Sequence, residues 1–199
     1  MARNDVMERV ILIVENSEVY RNILKQMLRE IGKFQVYAAA TGQEALKLCE
    51  KEQYDAILCD FDLGKGKNGL QLLEELRAAS IIKASTVFVM ITASVDKNIV
   101  LSCLEHRPDV FIAKPFNHNT LNNRLNKTFN LQDKLARIIS AVDKKQFEKA
   151  LEYCNEELDQ QTEFESWCLK TKCEILFELK NYSKVIEVCE AVILLKPHE

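Results

Sequence analysis

Four short apolar runs of this chain are each followed by polar side chains that could act together on a phosphoryl group. Glu15 and Asn16 follow one run, Asp60 a second, Thr92 a third and Lys114 a fourth. Carboxylate oxygens bind Mg²⁺, and a nearby carboxylate can attack phosphorus to form an acyl phosphate. A hydroxyl and an ammonium group at about 3 Å can hold the remaining phosphoryl oxygens. These residue types predict a phosphoryl-acceptor site, if the fold brings them to one place.

The apolar runs themselves have the composition of strands that are buried on both faces. They are short, continuous and rich in β-branched or aromatic residues, and they alternate with amphipathic helical patterns. The predicted strands are 9–14, 34–38, 54–59, 86–91 and 109–113, and the predicted helices are 18–31, 42–51, 69–79, 95–106 and 120–129. This alternation predicts an α/β, flavodoxin-like, doubly wound parallel sheet of five strands in the order 2-1-3-4-5. In such sheets ligand groups lie beyond the carboxyl ends of the strands, where the polar residues stand.

The chain beyond about residue 130 is helical by pattern and repeats itself. The segments 145–158 and 180–193 align, so that Phe147 matches Tyr182 and Cys154 matches Cys189 at a spacing of 35 residues. Further amphipathic helices are predicted at 131–142 and 163–179. A repeat of this length is typical of stacked helical hairpins. We therefore expect two domains, residues 1–130 and residues 131–199.

Composition excludes several classes of function. The chain has 27 Lys+Arg against 30 Asp+Glu, which leaves no broad basic field for a nucleic acid. Seven cysteines without a CxxC pair and three scattered histidines support neither a zinc site nor a histidine-based triad. Neither a GxGxxG nor a P-loop motif is present, and no apolar run suits a signal peptide or membrane span. We expect a cytoplasmic protein that binds neither nucleic acid nor membrane, with its cysteines reduced.

Residues 9 to about 128 resemble the receiver domain of two-component response regulators, the CheY-like family. The resemblance rests on Asp60 in "ILCDFDL", Thr92 in "MITAS", and Phe111 and Lys114 in "FIAKPF". It implies that Asp60 accepts a phosphoryl group from a histidine kinase or phosphotransfer protein. Thr92 would then be the switch hydroxyl, Phe111 the switch aromatic, and Lys114 the phosphate-binding lysine before a cis-proline. The family implies no enzyme activity beyond self-catalysed phosphotransfer and dephosphorylation.

The resemblance also implies a Mg²⁺ site formed by Glu15, Asn16, Asp60 and the backbone carbonyl of Asp62. Asn16 departs from the family pattern, which most often has an acid at this position and uses it as the direct metal ligand. The amide keeps an oxygen donor but lacks the charge, so Mg²⁺ binding should be weaker. Two hypotheses stay open: a phosphorylated regulator, or a degenerate receiver that binds or inhibits a kinase without being phosphorylated. A metabolic enzyme on the same fold is a third, without a substrate-site signature.

The helical part resembles a pair of tetratricopeptide repeats, with Pro197 at the position of the family's terminal proline. Ile138 and Cys173 stand where the family has a glycine, and Trp167 is displaced from the usual aromatic position. The resemblance implies output through a protein partner. Two repeats leave an apolar end face, so we expect a longer regulator or a homodimer that covers it. The order of receiver and repeats is similar to that of VieB-type response regulators.

Overall fold

The computed structural model describes residues 8–93 and 108–195, with side chains in the second range up to residue 190. The helix predicted at 95–106 lies outside these ranges, and so does Pro197. The chain divides into two compact units, Met1–Leu131 and Gln132–Glu199. None of the helices in the described ranges is both long and apolar enough to cross a bilayer.

The first unit contains a parallel sheet with helices between its strands. The strands are β1 (Arg9–Val14), β2 (Phe34–Ala39), β3 (Ala56–Asp60), β4 (Val87–Thr92) and β5 (Val110–Ala113). They pair in the order β2-β1-β3-β4-β5, and every pair is parallel. The helices described here are α1 (Glu18–Ile31), α2 (Gly42–Cys49), α3 (Gly69–Ala78) and α4 (His118–Lys134). The predicted flavodoxin-like sheet and its strand order are confirmed.

Both faces of this sheet are buried, which explains why its strands have no polar alternation. Leu12 and Val14 of β1 point into a core covered by α2 and α3, whereas Ile11 and Ile13 point into a second core covered by α1 and α4. The second core receives Leu24 and Leu28 from α1 and Leu121, Leu125 and Phe129 from α4. Period-two burial on both faces requires continuous apolar runs, and these runs are the signal that the sequence carries.

The second unit consists of helices, as expected. They are α5 (Ala136–Asp143), α6 (Phe147–Asp159), α7 (Glu165–Glu178) and α8 (Tyr182–Leu195). The helix predicted at 131–142 instead begins at Ala136, because α4 continues through Lys134 and a single non-helical residue, Leu135, separates the two helices. The buried Phe129 extends the apolar spacing of α4, and no Gly or Pro stops that helix earlier.

The turns that join α5 to α6 and α7 to α8 have the same backbone geometry at a spacing of 35 residues. Lys145 and Lys180 both have positive φ angles, 54° and 55°. The amide of Lys145 donates to the carbonyl oxygen of Val142, and the amide of Lys180 donates to that of Phe177. The next amides, 35 residues apart, donate in the same way to Ala141 and Leu176. The two hairpins therefore share one turn geometry.

Candidate functional site

The ends of four strands bring the polar side chains to one edge of the sheet. The register pairs Val14 with Cys59, Asp60 with Ile91 and Thr92 with Ala113. The amide of Lys114 also donates to the carbonyl oxygen of Thr92 at 2.7 Å. The residues that follow β1 and β5 therefore lie beside those that end β3 and β4, as the topology predicts.

Lys114 is the electrostatic centre of this edge. Its Nζ donates to Oε2 of Glu15 at 2.8 Å and to Oδ2 of Asp60 at 2.9 Å. Glu15 is only 1% exposed and Asp60 only 9%. One buried ammonium group thus bridges two buried carboxylates, which is an arrangement that binds negative charge and can exchange one anionic partner for another.

Burial and charge shift the protonation of the bridged pair of Asp60 and Lys114. The pKa of Asp60 is raised to about 6: burial raises it most, the hydrogen bond from Lys114 lowers it, and the charge of Glu15 raises it. Burial alone would lower the pKa of Lys114, but its hydrogen bonds to Glu15 and Asp60 outweigh burial and leave that pKa raised. Lys114 therefore stays charged, and Asp60 is an unusually basic carboxylate.

The turn after β1 is held in place by the beginning of α1. The amide of Ser17 donates to Oε1 of Glu15 at 2.9 Å, and the Ser17 hydroxyl caps the helix by accepting from the Tyr20 amide. Nη1 of Arg21 donates to the carbonyl oxygens of Glu15 at 2.6 Å and Asn16 at 2.9 Å. The carboxylate of Glu15 is therefore oriented from both of its oxygens.

The loop after β3 lies beside Asn16. Gly64 has a φ of +78°, and its amide donates to Oδ1 of Asp62 at 2.9 Å, so that the side chain of Asp62 stabilises its own turn. A Cβ added at Gly64 would lie 3.2 Å from Nδ2 of Asn16. Asn16 and Asp62 are both exposed, whereas Glu15 and Asp60 are buried.

Gly69 begins α3 directly beneath the acceptor candidate. Its amide donates to the carbonyl oxygen of Phe61 at 2.9 Å. A Cβ at this position would collide with the carbonyl oxygen of Asp60 and would lie 3.1 Å from the sulfurs of Cys59 and Met90. Only glycine fits at this position, because the carbonyl oxygen of Asp60 packs directly against the first residue of α3.

The remaining predicted site residues stand on β4 and β5. Thr92 is the last residue of β4 and is 2% exposed, and Ala93 after it is exposed. Phe111 on β5 is half-buried and packs against the core that α2 and α3 cover. The Lys114–Pro115 peptide bond is cis, as the resemblance to receiver domains implies.

The donor set suits a divalent cation, but it supplies less negative charge than three acidic side chains would. Glu15 and Asp60 converge on one Nζ atom, so both carboxylates reach the same point, and carboxylate oxygens are ligands that Mg²⁺ prefers. Within residues 8–93 and 108–195, no group of three or more acidic, histidine or cysteine side chains could hold a metal. Asn16 follows Glu15 in the chain and is exposed, and its amide oxygen is a further possible ligand without a charge.

Two residues at this edge escaped the sequence analysis. The ring centroid of Tyr20 lies 4.3 Å from Nζ of Lys114, within cation–π range. Arg21 binds the turn after β1, as described above. The helix start at Ser17 could have placed both residues in the first turns of α1. Nothing in the sequence pattern says which side of that helix faces the carboxyl ends of the strands.

Comparison with known proteins gives one family for this unit. The family model "Response regulator receiver domain" matches residues 11–126. The chemotaxis protein CheY-3 of Vibrio cholerae is 32% identical over 119 residues, covering 60% of this chain and 90% of that protein. The chemotaxis protein CheY of Pseudomonas aeruginosa is 28% identical over 119 residues, covering 60% of this chain and 94% of that protein.

Solved structures agree with this match. A CheY-like response regulator receiver domain protein from Methanospirillum hungatei superposes with a TM-score of 0.56 at 27% identity, covering 64% of this chain and 98% of that chain. The family match spans more than half of the 199 residues, overlaps all five strands of the sheet and includes Glu15, Asp60, Thr92 and Lys114. The chain belongs to the response regulator receiver domain family, and its first unit is the CheY-like receiver of a two-component response regulator.

Proposed function

We propose that this receiver accepts a phosphoryl group on Asp60 from a histidine kinase or phosphotransfer protein and signals through protein contact. The observation that carries the proposal is the bridge from Lys114 to Glu15 and Asp60 at the carboxyl edge of the sheet. It joins a nucleophilic carboxylate, a permanent cation and a second carboxylate suited to a divalent ion. Receiver domains generally bind Mg²⁺ at such a site, and Glu15, Asn16, Asp60 and the carbonyl of Asp62 are the proposed ligands.

The proposed transfer needs Asp60 ionised. With a pKa of about 6, roughly nine-tenths of the carboxylate is charged at about pH 7. A carboxylate oxygen attacks phosphorus, the bond from phosphorus to the donor histidine nitrogen breaks, and an acyl phosphate forms on Asp60. When bound, Mg²⁺ supplies positive charge beside the phosphoryl oxygens. Lys114 then exchanges its carboxylate contact for a phosphoryl oxygen.

Thr92 and Phe111 are the proposed switch residues. Thr92 ends β4, which pairs with the strand of Asp60, so both residues stand at the carboxyl edge of the sheet, where the Thr92 hydroxyl is proposed to act. Movement of that hydroxyl toward a phosphoryl oxygen vacates space near β5, and the half-buried Phe111 turns inward. Phosphorylation would thereby shift a two-state equilibrium that already exists in the free protein.

Labelling with a small phosphodonor tests the proposal. The wild-type chain should be labelled by acetyl phosphate in the presence of Mg²⁺, and Asp60→Asn should not be labelled. Asp159→Asn is the matched control, because Asp159 is an exposed aspartate of the helical unit outside the proposed site and should leave labelling intact. Labelling of Asn16→Asp without any labelling of the wild type would refute the proposal.

A second candidate, a receiver that docks on a kinase without phosphorylation, is favoured by one feature. Asn16 puts a neutral amide where the family most often has an acid. The described residues also contain no group of three or more acidic, histidine or cysteine side chains that could hold a metal. This candidate predicts that kinase binding is unchanged by Asp60→Asn and that Mg²⁺ affinity is negligible by calorimetry. A kinase interaction that Asp60→Asn abolishes would exclude it.

We assign output to the second domain, residues 131–199, and interpret its hairpins as two tetratricopeptide-like repeats. Phe147 and Leu151 of α6 pack in one cluster with Ile175 of α7. Their equivalents 35 residues later, Tyr182 and Ile186 of α8, are 52% and 58% exposed. A partner helix that packs as α7 packs on α6 would cover them.

Ile186→Glu tests this output surface. The substitution should abolish binding of the output partner and leave labelling of Asp60 unchanged, because Ile186 belongs to the helical unit. A partner that binds Ile186→Glu as tightly as wild type would contradict this assignment.

A further inference from the structure

Two pairs of cysteines connect α7 to the helices on either side of it. Cys154 of α6 lies beside Cys168 of α7. Cys173, five residues further along α7, has its Sγ 3.9 Å from Sγ of Cys189 in α8. All four are free thiols.

The two pairs differ in their access to solvent. Cys154 and Cys168 are both 0% exposed, so a dissolved oxidant cannot reach either sulfur without unfolding. Cys189 is exposed and Cys173 is half-buried. The chain therefore provides an accessible pair and an inaccessible pair within the same three helices.

The accessible pair has the geometry of a disulfide precursor. A disulfide bond is about 2.05 Å long, so the sulfurs at 3.9 Å must approach by about 2 Å. Rotation about the Cα–Cβ bonds of two residues on packed neighbouring helices supplies motion of this size. The helices α7 and α8 are joined by a tight turn at Lys180, which keeps the two cysteines opposite each other.

We propose that Cys173 and Cys189 are the site of a reversible intramolecular disulfide that links α7 to α8, formed by exchange with a low-molecular-weight disulfide. This inference rests on the helical unit alone and does not depend on phosphorylation of Asp60. The linked hairpin is the one that carries the exposed side chains of Phe177, Tyr182 and Ile186. Oxidation would therefore restrict the relative motion of α7 and α8, which carry the surface that we assign to output.

The exchange balances in two steps. The thiolate of Cys189 attacks one sulfur of the small disulfide, whose S–S bond breaks and releases one small thiolate. Cys173 then loses its proton and attacks the sulfur of Cys189, displacing the second small thiolate. The two protein thiols lose two electrons and two protons, and the small disulfide is reduced to two thiols. Burial and the neighbouring Cys189 raise the pKa of Cys173 to about 11, which favours Cys173 as the second thiol to react.

Peptide mapping can separate the two pairs cleanly. Cleavage with trypsin, which spares a lysine before proline, places Cys154 and Cys168 together in peptide 150–170, whereas Cys173 and Cys189 fall in peptides 173–180 and 185–199. The full-length chain is incubated with oxidised glutathione at about pH 8.5, where thiolates form readily, and is then quenched with acid and alkylated. We expect peptides 173–180 and 185–199 to be joined, with a mass about 2 Da below their sum. Peptide 150–170 should be alkylated only after unfolding.

Variants identify the order of the steps. Cys173→Ser should stop at a glutathione adduct on Cys189, and Cys154→Ala should leave the cross-link intact. Hydrogen exchange of the α8 amides should slow by about tenfold in the cross-linked protein and recover on reduction. A stable adduct on Cys189 of the wild type without a cross-link would overturn the proposal. A disulfide within peptide 150–170 in place of the expected link, or α8 exchange unchanged by the cross-link, would do the same.

Discussion

Lys114 opposes, but does not outweigh, the effect of burial on the pKa of the acceptor carboxylate Asp60. It is the cation that both buried acids contact, and Tyr20 covers its ammonium group on one side. Even so, the pKa of Asp60 is raised to about 6, because burial and the nearby charge of Glu15 act against ionisation more strongly than Lys114 favours it. The ionised acceptor is therefore disfavoured by burial and by repulsion from Glu15, and a bound divalent cation would offset both effects.

Asp60→Asn should stabilise the metal-free protein at about pH 7. An unfolded aspartate has a pKa near 3.8, and the folded one about 6, so between these values the folded state binds a proton that the unfolded state has lost. Wild-type stability must then fall as pH rises from about 4 to about 6, by an amount on the order of 2 kcal/mol. Urea unfolding of both proteins across this range checks it. Equal stability of wild type and variant at both ends would contradict the raised pKa.

Asn16→Asp should have opposite effects on metal binding and on metal-free stability. A third carboxylate beside Glu15 and Asp60 adds a charge, so Mg²⁺ affinity measured by calorimetry should rise about tenfold. The same charge adds repulsion when no ion is bound. In the presence of a chelator, the variant should therefore melt at a lower temperature than the wild type. Unchanged affinity would show that the amide already serves the ion as well as an acid does.

Gly69 shows how an element fixes the acceptor. The start of α3 lies so close to the backbone of Asp60 that a methyl group would overlap its carbonyl oxygen. We expect Gly69→Ala to lower the free energy of unfolding by about 1–3 kcal/mol through overpacking and to slow phosphoryl labelling. Gly32→Ala is the control, because its Cβ would make only ordinary contacts at 3.5 Å and beyond. Equal loss in both variants would remove the special role of Gly69.

The elements also show what a sequence can and cannot predict. The buried strands could be predicted because both of their faces must be apolar. The bounds of α1 could be predicted because Ser17 caps its start and Gly32 ends it. The junction of α4 and α5 was misplaced because no Gly or Pro marks it. Tyr20 was missed because its contact with Lys114 depends on the rotation of α1 about its axis, which the apolar pattern does not specify.

At the scale of the whole chain, α4 begins in the receiver and ends at Lys134, three residues beyond the last residue of the first compact unit, Leu131. Leu121, Leu125 and Phe129 of this helix complete the second core of the sheet. A fragment that ends at Lys134 should therefore fold and be labelled by a phosphodonor. A fragment that ends at Asn117 should not fold, because each lost buried side chain costs about 1.5–3 kcal/mol. Circular dichroism melts of both fragments check this, and a cooperative transition in the shorter fragment would contradict it.

The acceptor itself can be located by reductive trapping of the acyl phosphate. After treatment with acetyl phosphate and Mg²⁺, borohydride converts a phosphorylated aspartate into homoserine, which mass spectrometry can place within a peptide. Cleavage after lysine gives peptide 52–65, which contains Asp55, Asp60 and Asp62. We expect homoserine at Asp60 alone and only in the presence of the donor. Homoserine at Asp55 or Asp62, or none in this peptide while a known receiver is labelled in parallel, would contradict it.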